Sequence, residues 1–226
     1  MKSQLLDKIA IFLLKDGFTV KTLTRNCFDL LARKKDIIIL IKALEDANAV
    51  MEEHVNEMMR LSNYLKAVPL IVAEKASDKL EDNVLYSRFG LYVLNHATFV
   101  NCIHHKFPFL KRTQAGLSAT IDNLKLKEQR EDMGLSLAAV SKKIGVSSRM
   151  IAKYEGGASE ITLAKAQKLY SLFGHRVFHE LNIFSRRQQM LDSHTSLISK
   201  KYVELGFLAT DTHNAPFDII AKKEDE

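Results

Sequence analysis

Residues 17–36, "GFTVKTLTRNCFDLLARKKD", are nearly repeated at residues 206–225 as "GFLATDTHNAPFDIIAKKED". The offset, from 17 to 206 and from 36 to 225, is 189 residues throughout, and Gly17/Gly206, Phe18/Phe207, Phe28/Phe217, Asp29/Asp218, Ala32/Ala221, Lys34/Lys223 and Asp36/Asp225 match without a gap. A gapless match of this length marks a duplication. Inside the stretch, Gly17 is a helix stop and "FTVKTLT" is rich in β-branched residues, which predicts a strand. "CFDLLARKK" and "DIIILIKAL" read as two more strands joined by the charged turn Arg33-Lys34-Lys35-Asp36. The continuous apolar run from Ile37 to Ile41 predicts a strand covered on both faces.

Working outward, Leu5, Leu6, Ile9, Phe12 and Leu13 follow helical spacing. Asp7 and Lys8 break that apolar run, leaving it too short for a secretion signal or a membrane span. Downstream, residues 48–66 set Val50, Met51, His54, Val55, Met58, Leu61 and Leu65 along one helical face, and Pro69 opens the strand "PLIVAE". "GLYVLN" predicts another strand and "HATFVNCIHH" a closing helix. Residues 1–107 therefore form an α/β domain in the order helix, three strands, helix, two strands, helix.

Pro108 and the polar, basic residues up to Gly116 read as a linker over 108–117. From 118 to 175 the pattern becomes short helices separated by glycines, with no strands. Residues 176–192 read as a helical connector in which Arg186-Arg187 forms a solvated basic face near a DNA backbone. Residues 193–226 restart the first theme as a partial α/β repeat that stops before any equivalent of "IIILIKAL". The hairpin there is expected to pack against, or extend, a sheet of the first domain or of a second subunit, anchored by Phe207, Phe217 and Ile219.

The net charge of +6 favours an acidic partner such as nucleic acid. The two cysteines, Cys27 and Cys102, lie far apart and outside any ligand spacing, so no metal, cofactor or disulfide framework is expected, and a reducing cytoplasm fits. No transmembrane segment is expected, hence no membrane partner.

Function is carried by residues 135–156, "LSLAAVSKKIGVSSRMIAKYEG", which have the layout of a helix-turn-helix. Ser136 caps the first helix, Val140 and Ile144 face the core, and Gly145 permits the tight turn. Val146 plugs the gap between the helices, Ser147 caps the second, and Ile151 returns to the core. Ser148, Arg149, Ala152 and Lys153 are left pointing outward.

This stretch resembles the lambda-repressor-like (Cro/repressor-type) helix-turn-helix family, and the resemblance extends over about 55 residues with the flanking helices in the expected places. The resemblance implies that Ser148, Arg149, Ala152 and Lys153 read bases in the major groove. It also implies that Ser147, Lys142 and Lys143 serve the DNA backbone or the cap, and that Arg130 and Glu155 form an internal ion pair. Leu137 stands where the family commonly has a phosphate-anchoring glutamine, and "GGASE" lacks the basic residues often found there, so dimerisation is expected to supply affinity. The implied partners are double-stranded DNA and a second copy of the chain, with room for a small-molecule effector.

The first unit, with Asp29 at its second strand and Lys42 at the end of its third, resembles the restriction-endonuclease and Holliday-junction-resolvase fold. That family places an acidic residue two positions before the lysine. Here Leu40 stands there and cannot bind a hard cation, so Asp29, Leu40 and Lys42 mark a degenerate nuclease site, and the expectation is that the chain is not an enzyme. The alternative is a structure-specific nuclease delivered to DNA by the helix-turn-helix. The whole arrangement resembles a family of archaeal HTH-type transcriptional regulators, whose members run on beyond the point where this sequence stops.

Overall fold

Where both are described, the two copies of the duplicated stretch form the same hairpin, with four strand pairs in common. A computed structural model describes residues 2–23, 26–114, 116–157, 159–185, 196–215 and 217–223. In chain order the elements are α1 (Lys2–Lys15), β1 (Thr19–Thr22), β2 (Leu30–Lys34), β3 (Ile37–Asp46), α2 (Glu52–Leu65), β4 (Val68–Ala76), β5 (Asp78–Lys79), β6 (Val84–Arg88), β7 (Leu91–Leu94) and α3 (His96–Ile103). They continue as β8 (Leu110–Thr113), β9 (Gly116–Ile121), α4 (Asn123–Asp132), α5 (Leu137–Ile144), α6 (Ser148–Gly156), β10 (Ser159–Thr162), α7 (Leu163–Phe173), α8 (Leu197–Glu204), β11 (Phe207–Asp211) and β12 (Ile219–Lys223). The chain divides into two units, one drawn from residues 1–81, 87–100 and 183–226, the other from 82–86 and 101–182.

In the first unit α1 turns Leu5, Ile9 and Leu13 inward at intervals of four, and Gly17, at φ +84°, ends the helix in the left-handed region. The sheet order is β1-β2-β3-β4-β7, with β5 folded back on β4. β1, β2 and β3 are antiparallel neighbours, whereas β3, β4 and β7 run parallel, α2 forming the crossover between β3 and β4. Ile39, Leu40, Ile41 and Ala43 are wholly buried, as a strand covered on both faces requires. Each such aliphatic side chain contributes about 1.5–3 kcal/mol by leaving water. α2 buries Val55, Met58 and Leu61, but Met51 is 54% exposed. Met51 precedes the first helical turn, so it does not share the helix face expected from spacing.

β11 and β12 form a two-stranded sheet that no other described strand joins. Within the first unit the hairpin packs on α2 through β12 and is bonded there through its tip, so it joins no sheet of this chain among the described residues; pairing with a second subunit remains an expectation. The Cys27 N–H donates to the Asn214 carbonyl at 2.6 Å, and the His213 N–H donates to Glu57 Oε1 on α2 at 3.3 Å. Phe207, Phe217 and Ile219 are half-buried.

In the second unit β8, β9 and β10 form an antiparallel ladder, and β6 pairs parallel to β8. Residues 108–117, read as a linker, thus carry β8 and the turn into β9, and a strand, β10, stands where only helices were expected. Their polar side chains hid them, because pairing with β9 supplies the order that composition does not. The helical reading of 176–185 is also corrected. After a 3-10 turn at His175–Val177 the chain is extended: Phe178 bridges to Ile121, His179 N–H donates to the Thr120 carbonyl at 2.9 Å, and Leu181 N–H to that of Pro108 at 2.7 Å. Phe178 is drawn in by stacking on Phe109 with centroids 4.8 Å apart. Residues 186–192, including Arg186 and Arg187, lie outside the described residues. The helices of this unit enclose Leu126, Val140, Ile144, Ile151, Tyr154, Leu169 and Phe173.

Candidate nucleic-acid interface

Local chemistry sets the α5-turn-α6 geometry. Ser136 Oγ accepts from the Ala139 N–H at 3.1 Å and starts α5, whose Val140 and Ile144 are buried. Gly145 follows at φ +80°, where a side chain would be strained, and its N–H closes the helix on the Ser141 carbonyl at 2.9 Å. Val146 packs half-buried against the core. Ser147 Oγ then accepts from the Met150 N–H at 3.2 Å and starts α6, which turns Ile151 and Tyr154 inward.

That inward face fixes what points outward. Ser148, Arg149, Ala152 and Lys153 are all exposed on α6, as are Lys142 and Lys143 in the last turn of α5 and Ser147 at the turn. One contact was not foreseen from the sequence. Ser148 Oγ lies 3.2 Å from Ser141 Oγ, and Ser141 Oγ itself donates to the Ala138 carbonyl at 2.9 Å. Ser148 is therefore partly committed to bracing α6 on α5, leaving Arg149 and Lys153 as the long cationic reach of this surface.

α6 is clamped from behind. Arg130 on α4 donates from Nε to Glu155 Oε1 at 2.6 Å, from Nη2 to Glu155 Oε2 at 2.9 Å, and from Nη1 to the Leu135 carbonyl at 3.0 Å. The two parallel bonds form the fork that a guanidinium makes with a carboxylate, and they raise the Arg130 pKa further. α4 is itself capped by Asp122, whose Oδ1 accepts from the Lys125 N–H at 3.2 Å. Burial opposes ionisation of Asp122, but the bonds from the Lys125 backbone and ammonium, with the nearby His179, outweigh it and hold the carboxyl below its ordinary range. On the adjoining ladder Lys111 pairs with Glu160, whose carboxyl it holds down.

The nuclease-like position in the first unit is of another kind. Asp29 and Lys42 are buried, with Lys42 Nζ 3.4 Å from Asp29 Oδ1 and 2.6 Å from the Asn26 carbonyl. Asp29 Oδ2 accepts from the Ala43 N–H at 2.9 Å. Leu40, wholly buried, presents no ligand. Both Asp29 oxygens thus have internal donors, and the donor set does not fit a hard divalent cation. Among the described residues no group of three or more His, Cys, Asp or Glu side chains is placed to hold a metal ion. Sequence reasoning missed Glu57, a buried carboxylate on α2 that pairs with Arg60 and helps burial push the Cys27 thiol up to about 12. Its only signal was an acidic residue inside an otherwise apolar helix face.

Comparison with known proteins follows the same division. Residues 2–108 match the PD-(D/E)XK superfamily domain, and residues 126–174 match a helix-turn-helix. A protein of Archaeoglobus fulgidus named "Putative HTH-type transcriptional regulatory protein" is 31% identical over 238 residues, covering 100% of this chain and 77% of that protein. Similarly named proteins of Pyrococcus horikoshii and Methanothermobacter thermautotrophicus are each 29% identical, covering 100% and 98% of this chain and 75% and 72% of their own lengths.

Proposed function

Because the chain belongs to the family of HTH-type transcriptional regulatory proteins found in archaea, we propose that it is a sequence-specific DNA-binding regulator that presents α6 to the major groove as a homodimer. The carrying observation is the exposed row Ser148, Arg149, Ala152 and Lys153 on a helix whose opposite side is capped, buried and clamped by Arg130. Arg149 suits bidentate donation to a guanine edge, and Ala152 suits contact with a thymine methyl group. Lys153, Lys142 and Lys143 neutralise phosphates, and the Ser147 hydroxyl sits where cap and backbone meet. Two copies of α6 about 34 Å apart would enter successive major grooves. Blocking promoter access is the simplest mode of regulation, and a cytoplasmic location agrees with it.

We assign no cleavage step to the first unit, since Asp29 is tied to Lys42 and Ala43 and Leu40 offers no oxygen. A cavity of about 510 Å³ in that unit, lined by Met59, Asn63, Lys66, Phe89, Tyr92 and Ile183 among others, is the candidate seat for a small-molecule effector. The regulator reading is tested by selecting bound sequences from a random duplex pool at moderate salt. Enrichment of a motif is expected; a pool that stays random overturns it.

A further inference from the structure

The cavity in the first unit has apolar walls and two conformationally unusual residues. Met59 of α2, Val68 and Pro69 of β4, Leu91 of β7 and the buried Ile183 line it. Its volume of about 510 Å³ lies inside the range of about 300–1,000 Å³ that holds drug-sized ligands. Lys66 and Phe89 line it too, and both have positive φ, at 51° and 46°. Phe89 and Gly90, at φ +86°, make the two-residue turn that leads into β7.

A turn with positive φ at both central residues takes Asn-Gly at little cost, because asparagine tolerates the left-handed region and a bulky side chain does not. Burial does not repay the strain on Phe89, which is 39% exposed. Strained residues of this kind gather at ligand clamps. The charge at the cavity is of one sign. Lys66 is the one charged residue among the described residues that line it, and the Arg88 guanidinium lies 5.0 Å from the Phe89 ring centroid. The closing carbonyls of α2, which would repel an anion, are covered. The Lys66 N–H donates to that of Asn63 at 3.4 Å and the Ala67 N–H to that of Ser62 at 2.8 Å.

We propose that this cavity binds a small organic acid with a flat apolar body, the body lying against Met59, Pro69 and Phe89 and the carboxylate meeting Lys66. The proposal rests on the reading of the protein as a regulator with a small-molecule effector and names the class of that effector. One cation beside an apolar wall suits a ligand of matching polarity. The hydrocarbon leaves water while the carboxylate stays at the solvent edge with its counter-charge. Ile183 is the residue at which the chain enters this unit from the helical one, so an acid bound here touches the segment that leads from the DNA reader.

The chain has no tryptophan, so the fluorescence of naphthoate reports binding without interference from that residue. Saturable binding below millimolar concentration is expected, with naphthamide, the same body without the charge, about tenfold weaker. That comparison needs no variant. Lys66→Gln should weaken naphthoate about tenfold and leave naphthamide unchanged. Phe89→Asn should weaken both about tenfold while the melting temperature holds or rises, since the turn is relieved and the ring is lost. No saturable binding of naphthoate at millimolar concentration overturns the proposal, as does equal binding of acid and amide. So does binding that neither substitution alters, or a Phe89→Asn chain that melts lower and binds as before. Motif selection separates the two readings. A chain that enriches a DNA motif but binds no acid sinks this inference alone, whereas one that binds the acid at Lys66 and enriches no motif sinks the regulator.

Discussion

Breaking the Arg130–Glu155 clamp should loosen α6 by an amount that depends on which partner is removed. The carboxylate accepts bonds of 2.6 and 2.9 Å, and the side chains are only 12% and 8% exposed. Removing one member of a buried ion pair costs about 3–5 kcal/mol, mostly because the survivor is left without its counter-charge. Glu155→Ala falls at the low end, about 3 kcal/mol. The guanidinium keeps the Leu135 carbonyl, and the Glu131 carboxylate, 3.2 Å from Nη2, can share its charge. Arg130→Ala falls at the high end, since Glu155 loses both guanidinium donors and the Leu135 carbonyl loses one. Amide exchange of α4 and α6 peptides, read by mass spectrometry, reports this local opening without assuming that both units unfold together. At a factor of ten for each 1.4 kcal/mol, Glu155→Ala should speed exchange about a hundredfold or more. The double mutant should cost about 2–3 kcal/mol less than the sum of the two singles. Single losses below about 1 kcal/mol with coupling under about 0.5 kcal/mol would refute the reasoning, because the pair would then behave as a surface ion pair.

Four further outcomes follow. Asp122 is held below its ordinary range in the folded chain, so its contribution is complete above the unfolded carboxyl value near about 3.9 and is lost as pH falls below it; Asp122→Ala should cost about 1 kcal/mol at pH 7, and the urea midpoint of Asp122→Asn should fall less steeply with acid. The thiols of Cys27 and Cys102, both pushed up to about 12 by burial, should resist a disulfide reagent at pH 8 until urea is added; native labelling at the rate of an exposed thiol would contradict this. Arg149→Ala should relax base preference at one position at a cost of about 1–3 kcal/mol, whereas Lys153→Ala should weaken all sequences alike and flatten the salt dependence of binding, both read by titration of selected and scrambled duplexes. Asp29→Ala should cost about 3 kcal/mol in urea unfolding, since buried Lys42 loses its carboxylate, and should leave the selected DNA motif unchanged.

The helix-turn-helix was legible because its determinants are local. Two serine caps, one glycine at positive φ and three apolar positions lie within 16 residues, and each acts on neighbours a turn away. The Arg130–Glu155 contact spans 25 residues and came through family resemblance, not through spacing. β8, β9 and β10 were missed because their order comes from one another: Lys111 pairs with Ser118 in the ladder and with Glu160 by charge, and neither fact appears in the run "LKRT". Phe178 fails for the same reason, its extended backbone being set by Ile121, Thr120 and Phe109 far upstream. In the first unit the strand pattern was plain, but the fate of Asp29 was not. Only the fold shows the Ala43 N–H and the Lys42 ammonium converging on its carboxylate.

The repeat separates what a sequence specifies locally from what it needs from a neighbour. Both copies hold the same register and the same N–H to carbonyl bond across the turn, so twenty residues suffice to dictate a helix stop and a hairpin. They do not dictate burial. Asp29 and Asp218 are equivalent, yet Asp29 is buried against Lys42 of β3 while Asp218 is exposed, because the lysine belongs to the third strand and not to the repeated stretch. The same holds for Ile9 and Ile198. Identical local instructions therefore yield a buried aspartate where a third strand brings a lysine beside it and an exposed one where no described strand does.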